Sequence, residues 1–279
     1  MLWWQIICIV CIVSTVLFGI ILPAYGDEYR TLGIRHADNP VVCVFEPHPL
    51  FTDNQGGIVQ ASYNAIDLWK EKISEHSPNG NWEMPVYTIP HEDHVGKYPD
   101  QFQICNILIS FEYVNTETRS LGFTSLNFQN SNHKFTHIVA FTHNLDILTH
   151  FKLNLGTLEH EKINTSISIE PFTLTAIQNI ITHEFGHALG LGHYKITDYP
   201  IYTADTPWVN ASVMYYSMNP DNNKIMIPKF VDIRMLEKIY TEDGFGGAIA
   251  PTLKAGYYSA GDDDVCTHKC NFTQGKWWQ

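Results

Sequence analysis

Charge is what this sequence has least of: only 16% of its 279 residues are Asp, Glu, Lys or Arg. The 17 basic residues form no Lys/Arg-rich run, so neither nucleic acid nor an anionic membrane surface finds the positive patch it would need. The formal net charge of -12 serves solubility and points to no partner. Internal repeats and low-complexity tracts are also missing. What remains is a chain with 44% hydrophobic and 13% aromatic residues, which describes a globular protein with a substantial core and excludes a disordered one. Its length suits one good-sized domain or two small ones.

The stretch from Met1 to Gly26 carries no charge at all. Leu2 to Leu22 is an apolar run broken only by Gln5, Ser14, Thr15 and Gly19. Ala24 and Gly26 then place small residues at the -3 and -1 positions before Asp27. This pattern predicts a secretory signal peptide cleaved after Gly26, the alternative being an uncleaved anchor, since the run is long enough to span a bilayer. Either way the rest of the chain is expected outside the cytoplasm, secreted or held at the cell surface. Membrane contact would then come only through an uncleaved leader.

Cysteine is scarce too. Setting aside Cys8 and Cys11 in the leader, Cys43, Cys105, Cys266 and Cys270 remain. An even number in an exported chain suggests two disulfides with three connectivities, Cys43–Cys105 plus Cys266–Cys270 being the first expectation. Cys266, His268 and Cys270 as a small zinc site is the other reading of the tail. Sequons at Asn164, Asn210 and Asn271 permit glycosylation.

Periodicity then places the elements. Strands are expected at Pro40–Phe45, Met84–Ile89, Ile104–Tyr113 and Lys134–Phe141, with a bulged or edge strand at Ser120–Phe128. Ile58, Ala61, Ala65, Trp69 and Ile73 recur at three- and four-residue steps and predict a helix over about Gly57–Glu75, stopped by Ser77-Pro78-Asn79-Gly80. His91-Glu92-Asp93-His94 reads as a charged loop, and Asn144–Glu170 gives no clear period. A second helix is expected over Pro171–Leu189, starting at Thr173 or Thr175, and a third over Phe230–Tyr240. Gly244, Gly246 and Gly247 close the main domain.

The chemistry concentrates in His183–His193, HEFGHALGLGH. On a helix, His183 and His187 project from one face, one turn apart. Gly190 lets the backbone leave the helix, so that His193 can return as a third ligand. A catalytic zinc needs three protein ligands and one open position for water, and three neutral imidazoles supply that set. Glu184 sits beside the first histidine, placed to take a proton from zinc-activated water and hand it to a leaving amine.

HEFGHALGLGH resembles the HExxHxxGxxH signature of the metzincin clan of zinc endopeptidases, and within it is similar to the matrixins. Ser212-Val213-Met214-Tyr215-Tyr216 looks like the clan's Met-turn, with Met214 as the apolar floor beneath the metal. More weakly, the resemblance covers about Pro40 to Tyr240. It implies an α+β fold: a twisted, mixed five-stranded sheet with the active-site helix, and a smaller C-terminal subdomain after Gly190, below an active-site cleft. It further implies one zinc ion and a protein or peptide substrate. Two positions depart from the matrixin pattern: Tyr194 stands where serine is usual, and Tyr216 where proline is usual. Tyr216 is either a phenolic donor to the oxyanion, as in astacins and serralysins, or a packed aromatic. No cysteine-switch propeptide is evident, and Cys43 is expected to be structural.

The expected organisation is a leader at 1–26, an N-terminal arm at 27–39, a metzincin-like catalytic domain at 40–247 and an appendage at 248–279. His133, His137 and His143 are expected as surface histidines in preference to a second, structural zinc site, as are His91 and His94. Asp262-Asp263-Asp264 is expected as a solvated acidic turn in preference to a calcium site. Two rivals stay beside zinc endopeptidase activity: a non-catalytic surface or binding protein with a structural metal site, and hydrolysis of a non-peptide amide.

Overall fold

A computed structural model describes residues 27–97, 101–114, 120–129, 132–154, 159–196, 212–215, 223–247 and 256–259. The leader, Asn210, Tyr216, Asp262–Asp264, Cys266, His268, Cys270 and Asn271 lie outside them. Within the described residues the chain is a mixed α/β protein built on a five-stranded mixed sheet, with four helices.

The sheet consists of β2 (Val42–Phe45), β3 (Val86–Ile89), β4 (Ile107–Glu112), β5 (Gly122–Gln129) and β6 (Asn132–Phe141), in the order β3-β2-β4-β6-β5. All neighbours run parallel except β5, which lies antiparallel on β6 at the edge. Buried on both faces, β2 reads as an unbroken apolar run and not as an alternating one. Its Cys43 is joined to Cys105 just before β4. The pairing of β5 slips between Asn127 and Phe128, so the strand expected to be bulged or at an edge is both.

One face of the sheet is covered by α1 (Gln55–His76) and α3 (Leu174–Ala188). The Asn54 side chain caps α1 by accepting from Gly57 N–H, and the helix buries the predicted stripe of Ile58, Ala61, Ala65, Trp69 and Ile73. The indole N–H of Trp69 donates to the Thr182 carbonyl at 2.8 Å, tying α1 to the middle of α3. Thr173, and not Thr175, is the N-cap of α3. The closing helix α4 (Phe230–Tyr240) has the predicted bounds.

Two segments differ from expectation. His91–His94 forms α2, a single helical turn. His94 stacks on Phe45, and its Nε2–H donates to the Glu46 carbonyl at 2.9 Å, so a local turn is anchored from the neighbouring strand end. The featureless Asn144–Glu170 region is a long antiparallel hairpin, β7 (His143–Asn154) with β8 (Glu159–Pro171). Its polar and apolar residues alternate irregularly, and Ser166–Pro171 are exposed, which explains the absence of a buried-strand signal. A third, three-stranded sheet orders β10 (Gly256–Ser259), β1 (Asp27–Thr31) and β9 (Leu191–Ile196). The N-terminal arm thus pairs directly with the segment that follows α3, and the tail strand β10 pairs with the other side of the arm.

Candidate metal centre

The centre begins with helix geometry. His183 and His187 fall one turn apart on α3, which ends at Leu189. Gly190 then adopts φ 99°, and a Cβ there would strike the Ile34 carbonyl, so both conformation and space require glycine. The reversal feeds β9, and β9 returns His193 to the helix.

The Nε2 atom of His193 lies 3.3 Å from that of His183 and 3.3 Å from that of His187. Among the described residues this is the one cluster of His, Cys, Asp or Glu that could hold a metal ion. The hydrogen bonds fix which nitrogens are available. His183 Nδ1 sits 2.7 Å from the Val213 carbonyl, and His187 Nδ1 sits 2.8 Å from the Leu191 carbonyl. A carbonyl only accepts, so each Nδ1 carries the hydrogen and each Nε2 presents a lone pair. Two lone-pair nitrogens and a third imidazole nitrogen in contact could hold a cation between them. The spacing also fits: Zn–N bonds of about 2.0–2.1 Å place tetrahedral ligand atoms about 3.3–3.4 Å apart. Burial, opposed by the bond to Val213, holds the pKa of His183 below its ordinary value and so keeps it neutral, the form a ligand needs.

The packing around this part of α3 is set by residues far away in sequence. Met214 is wholly buried, and its sulfur lies where a Cβ on Gly186 would be, with the Trp69 ring on the same spot at 3.0 Å. The glycine within HEFGH is therefore a space requirement. The Met214 carbonyl accepts from Tyr194 N–H at 2.8 Å, which joins β9 to the turn after Ser212. Buried Asp232, on α4, accepts from Ser212 Oγ, from Val213 N–H at 3.2 Å and from Lys229 N–H at 2.7 Å. Its carboxylate thus caps α4 and holds Ser212 and the Ser212–Val213 peptide, while Ser212 Oγ accepts from the N–H of the following Val213–Met214 peptide, whose carbonyl orients His183.

Glu184 is buried, and Thr124 Oγ1 on β5 lies 2.7 Å from its Oε2 and 3.0 Å from its backbone oxygen. Burial raises the Glu184 pKa to about 7, with the bond from Thr124 acting in the opposite sense. A carboxyl poised near neutrality can both take and return a proton. The arm and α4 together cap the end of α3. His36 Nε2–H donates to the Ala188 carbonyl at 3.0 Å, Leu32 N–H to Gly190 at 2.9 Å, and Tyr240 O–H to Leu189 at 3.0 Å.

The structure therefore brings together His183, His187, His193, Gly190 and Met214. Among the described residues the other histidines do not join. His137 is no surface residue, being half-buried with Nε2 2.7 Å from Ser110 Oγ. His143 contacts Thr142 and the Tyr113 ring, and the His133 side chain lies outside the described residues. Tyr194 is buried beside the centre through its backbone bond. The roles of Thr124, Asp232, Gly186 and His36 went unread in the sequence. Only Asp232 carried a signal, as an acidic residue in the first turn of a predicted helix.

A scan of protein-family models finds no match for this chain, and no curated protein matches it.

Proposed function

We propose that this protein is an exported zinc-dependent endopeptidase of the metzincin type, closest in pattern to the matrixins. The observation that carries the reading is the convergence of three imidazoles, with His193 Nε2 3.3 Å from the Nε2 of each of the other two, next to a buried glutamate of raised pKa. His183, His187 and His193 would hold the ion, with the first two aimed by carbonyls of Val213 and Leu191. When bound, zinc supplies a Lewis acid that acidifies water and polarises a carbonyl.

The protein's own residues do the rest. Glu184 takes the proton from the attacking water and returns it to the leaving amine, so no covalent enzyme intermediate is needed. β5 has a sheet neighbour on one side only among the described residues and crosses α3 at Glu184. An edge strand of this kind can offer backbone N–H and C=O groups to an extended peptide, which favours a polypeptide substrate over a small amide. Tyr216 remains the proposed phenolic donor to the oxyanion.

The test is cleavage of an unbiased peptide library by purified protein, compared with Glu184→Ala. Wild type should cleave, phenanthroline should stop it and added zinc should restore it. Glu184→Ala should keep bound zinc while losing cleavage. A Glu184→Ala protein that cleaves normally would sink the mechanism. A zinc-loaded wild type that cleaves nothing would favour a binding protein.

A further inference from the structure

We propose that Thr124, on the edge strand β5, is the positioning residue for Glu184. This rests on the endopeptidase reading for its kinetic consequence but not for its geometry. Strand and helix meet closely here: a Cβ on Gly122 would lie 2.8 Å from Ile180 Cγ2 and 3.2 Å from Glu184 Cγ. With glycine at 122, β5 lies low on α3, and Thr124, two residues on and facing the same way, reaches Glu184. Its hydroxyl is 2.7 Å from Oε2 and 3.0 Å from the carbonyl oxygen of the same residue.

A hydroxyl has one hydrogen to donate, and the shorter contact marks Oε2 as its acceptor, with the Glu184 carbonyl oxygen within reach of the same group. One side chain thereby holds the Glu184 carboxyl in a single orientation, without itself touching substrate. The contact also links the edge strand β5 to the base on α3.

The experiment compares Thr124→Val, which keeps the shape and removes the hydroxyl, with Thr124→Ser, which restores it. Thr124→Val should lower kcat about tenfold with KM within about twofold, the size of one lost hydrogen bond to a charged group. Thr124→Ser should recover most of kcat, and Tm should be close to wild type in both. Crystal structures should show the Glu184 carboxyl reoriented in Thr124→Val and in its original place in Thr124→Ser. An unchanged kcat, a rise in KM alone, or an unmoved Glu184 would overturn the proposal. If the wild type cleaves no peptide, the endopeptidase reading falls, while the Glu184 orientation in Thr124→Val still decides the role of Thr124.

Discussion

Removing the Asp232 carboxylate should damage the metal centre from α4, without touching a ligand. Three hydrogens point at this one fully buried group: those of Ser212 Oγ, Val213 N and Lys229 N. Asp232→Ala leaves all three without their acceptor, at about 1–3 kcal/mol for each buried donor. Allowing for some relaxation and water entry, the expected loss is about 4 kcal/mol of unfolding free energy. Asp232→Asn keeps one oxygen for the two backbone N–H groups and turns its amide toward Ser212 Oγ. That hydroxyl already accepts from Met214 N–H at 2.9 Å and can take a second donor, so about 1–2 kcal/mol is expected. The second effect is on metal. Once Ser212 and the Val213 N–H lose their anchor, the adjoining Val213–Met214 peptide is free to turn, His183 loses its fixed Nδ1 acceptor, and zinc affinity should fall about 10–100-fold in Asp232→Ala. Guanidinium unfolding of the metal-free protein gives the first quantity, and competition with a chelator of known affinity gives the second. A variant that is destabilised yet binds zinc as tightly as wild type would refute the coupling of α4 to His183 through the turn.

Acidification should destabilise the fold between pH 6.5 and about 4, because burial holds His36 and His137 at about 4 against an ordinary 6.5. In that window the unfolded chain binds the protons and the folded chain does not, so stability falls as pH drops, by about 3 kcal/mol for His36 and less for half-buried His137. Unfolding curves across the window measure it, and a flat profile would contradict the burial argument. Replacing Cys43 and Cys105 together with alanine opens a link with a sequence separation of 62 and should cost about 4 kcal/mol, read from the denaturant midpoint. Gly186→Ala would gain about 1 kcal/mol in helix propensity but force Met214 and Trp69 apart at about 1–3 kcal/mol. A lowered Tm is expected, and an unchanged or raised Tm would mean that Met214 moves freely.

Much of this architecture was legible because it is local. The stripe from Ile58 to Ile73, the apolar runs of β2 and β4, and the bounds of α4 follow from periodicity and end signals in neighbouring residues. The hairpin β7–β8 was illegible because its register comes from cross-strand pairing, and Ser166–Pro171 on β8 are exposed and give no buried-strand signal. The turn at His91–His94 was missed because Phe45 and Glu46 hold it from another strand.

The site divides in the same way. Spacing alone put His183 and His187 on one helical face, and Gly190 with His193 completed a ligand set, since 3.6 residues per turn and a glycine reversal are properties of adjacent residues. Sequence also marked Glu184 as the candidate base by its place next to a ligand. Only the tertiary structure decided how these groups are held. Thr124 meets Glu184 across 60 positions of chain, and Asp232 meets Val213 across 19. Gly186 matters because Met214 and Trp69 converge on it from two other segments. Ligand identity is a matter of spacing along one helix and its exit. Ligand orientation depends on hydrogen bonds and packing between segments that only folding brings together.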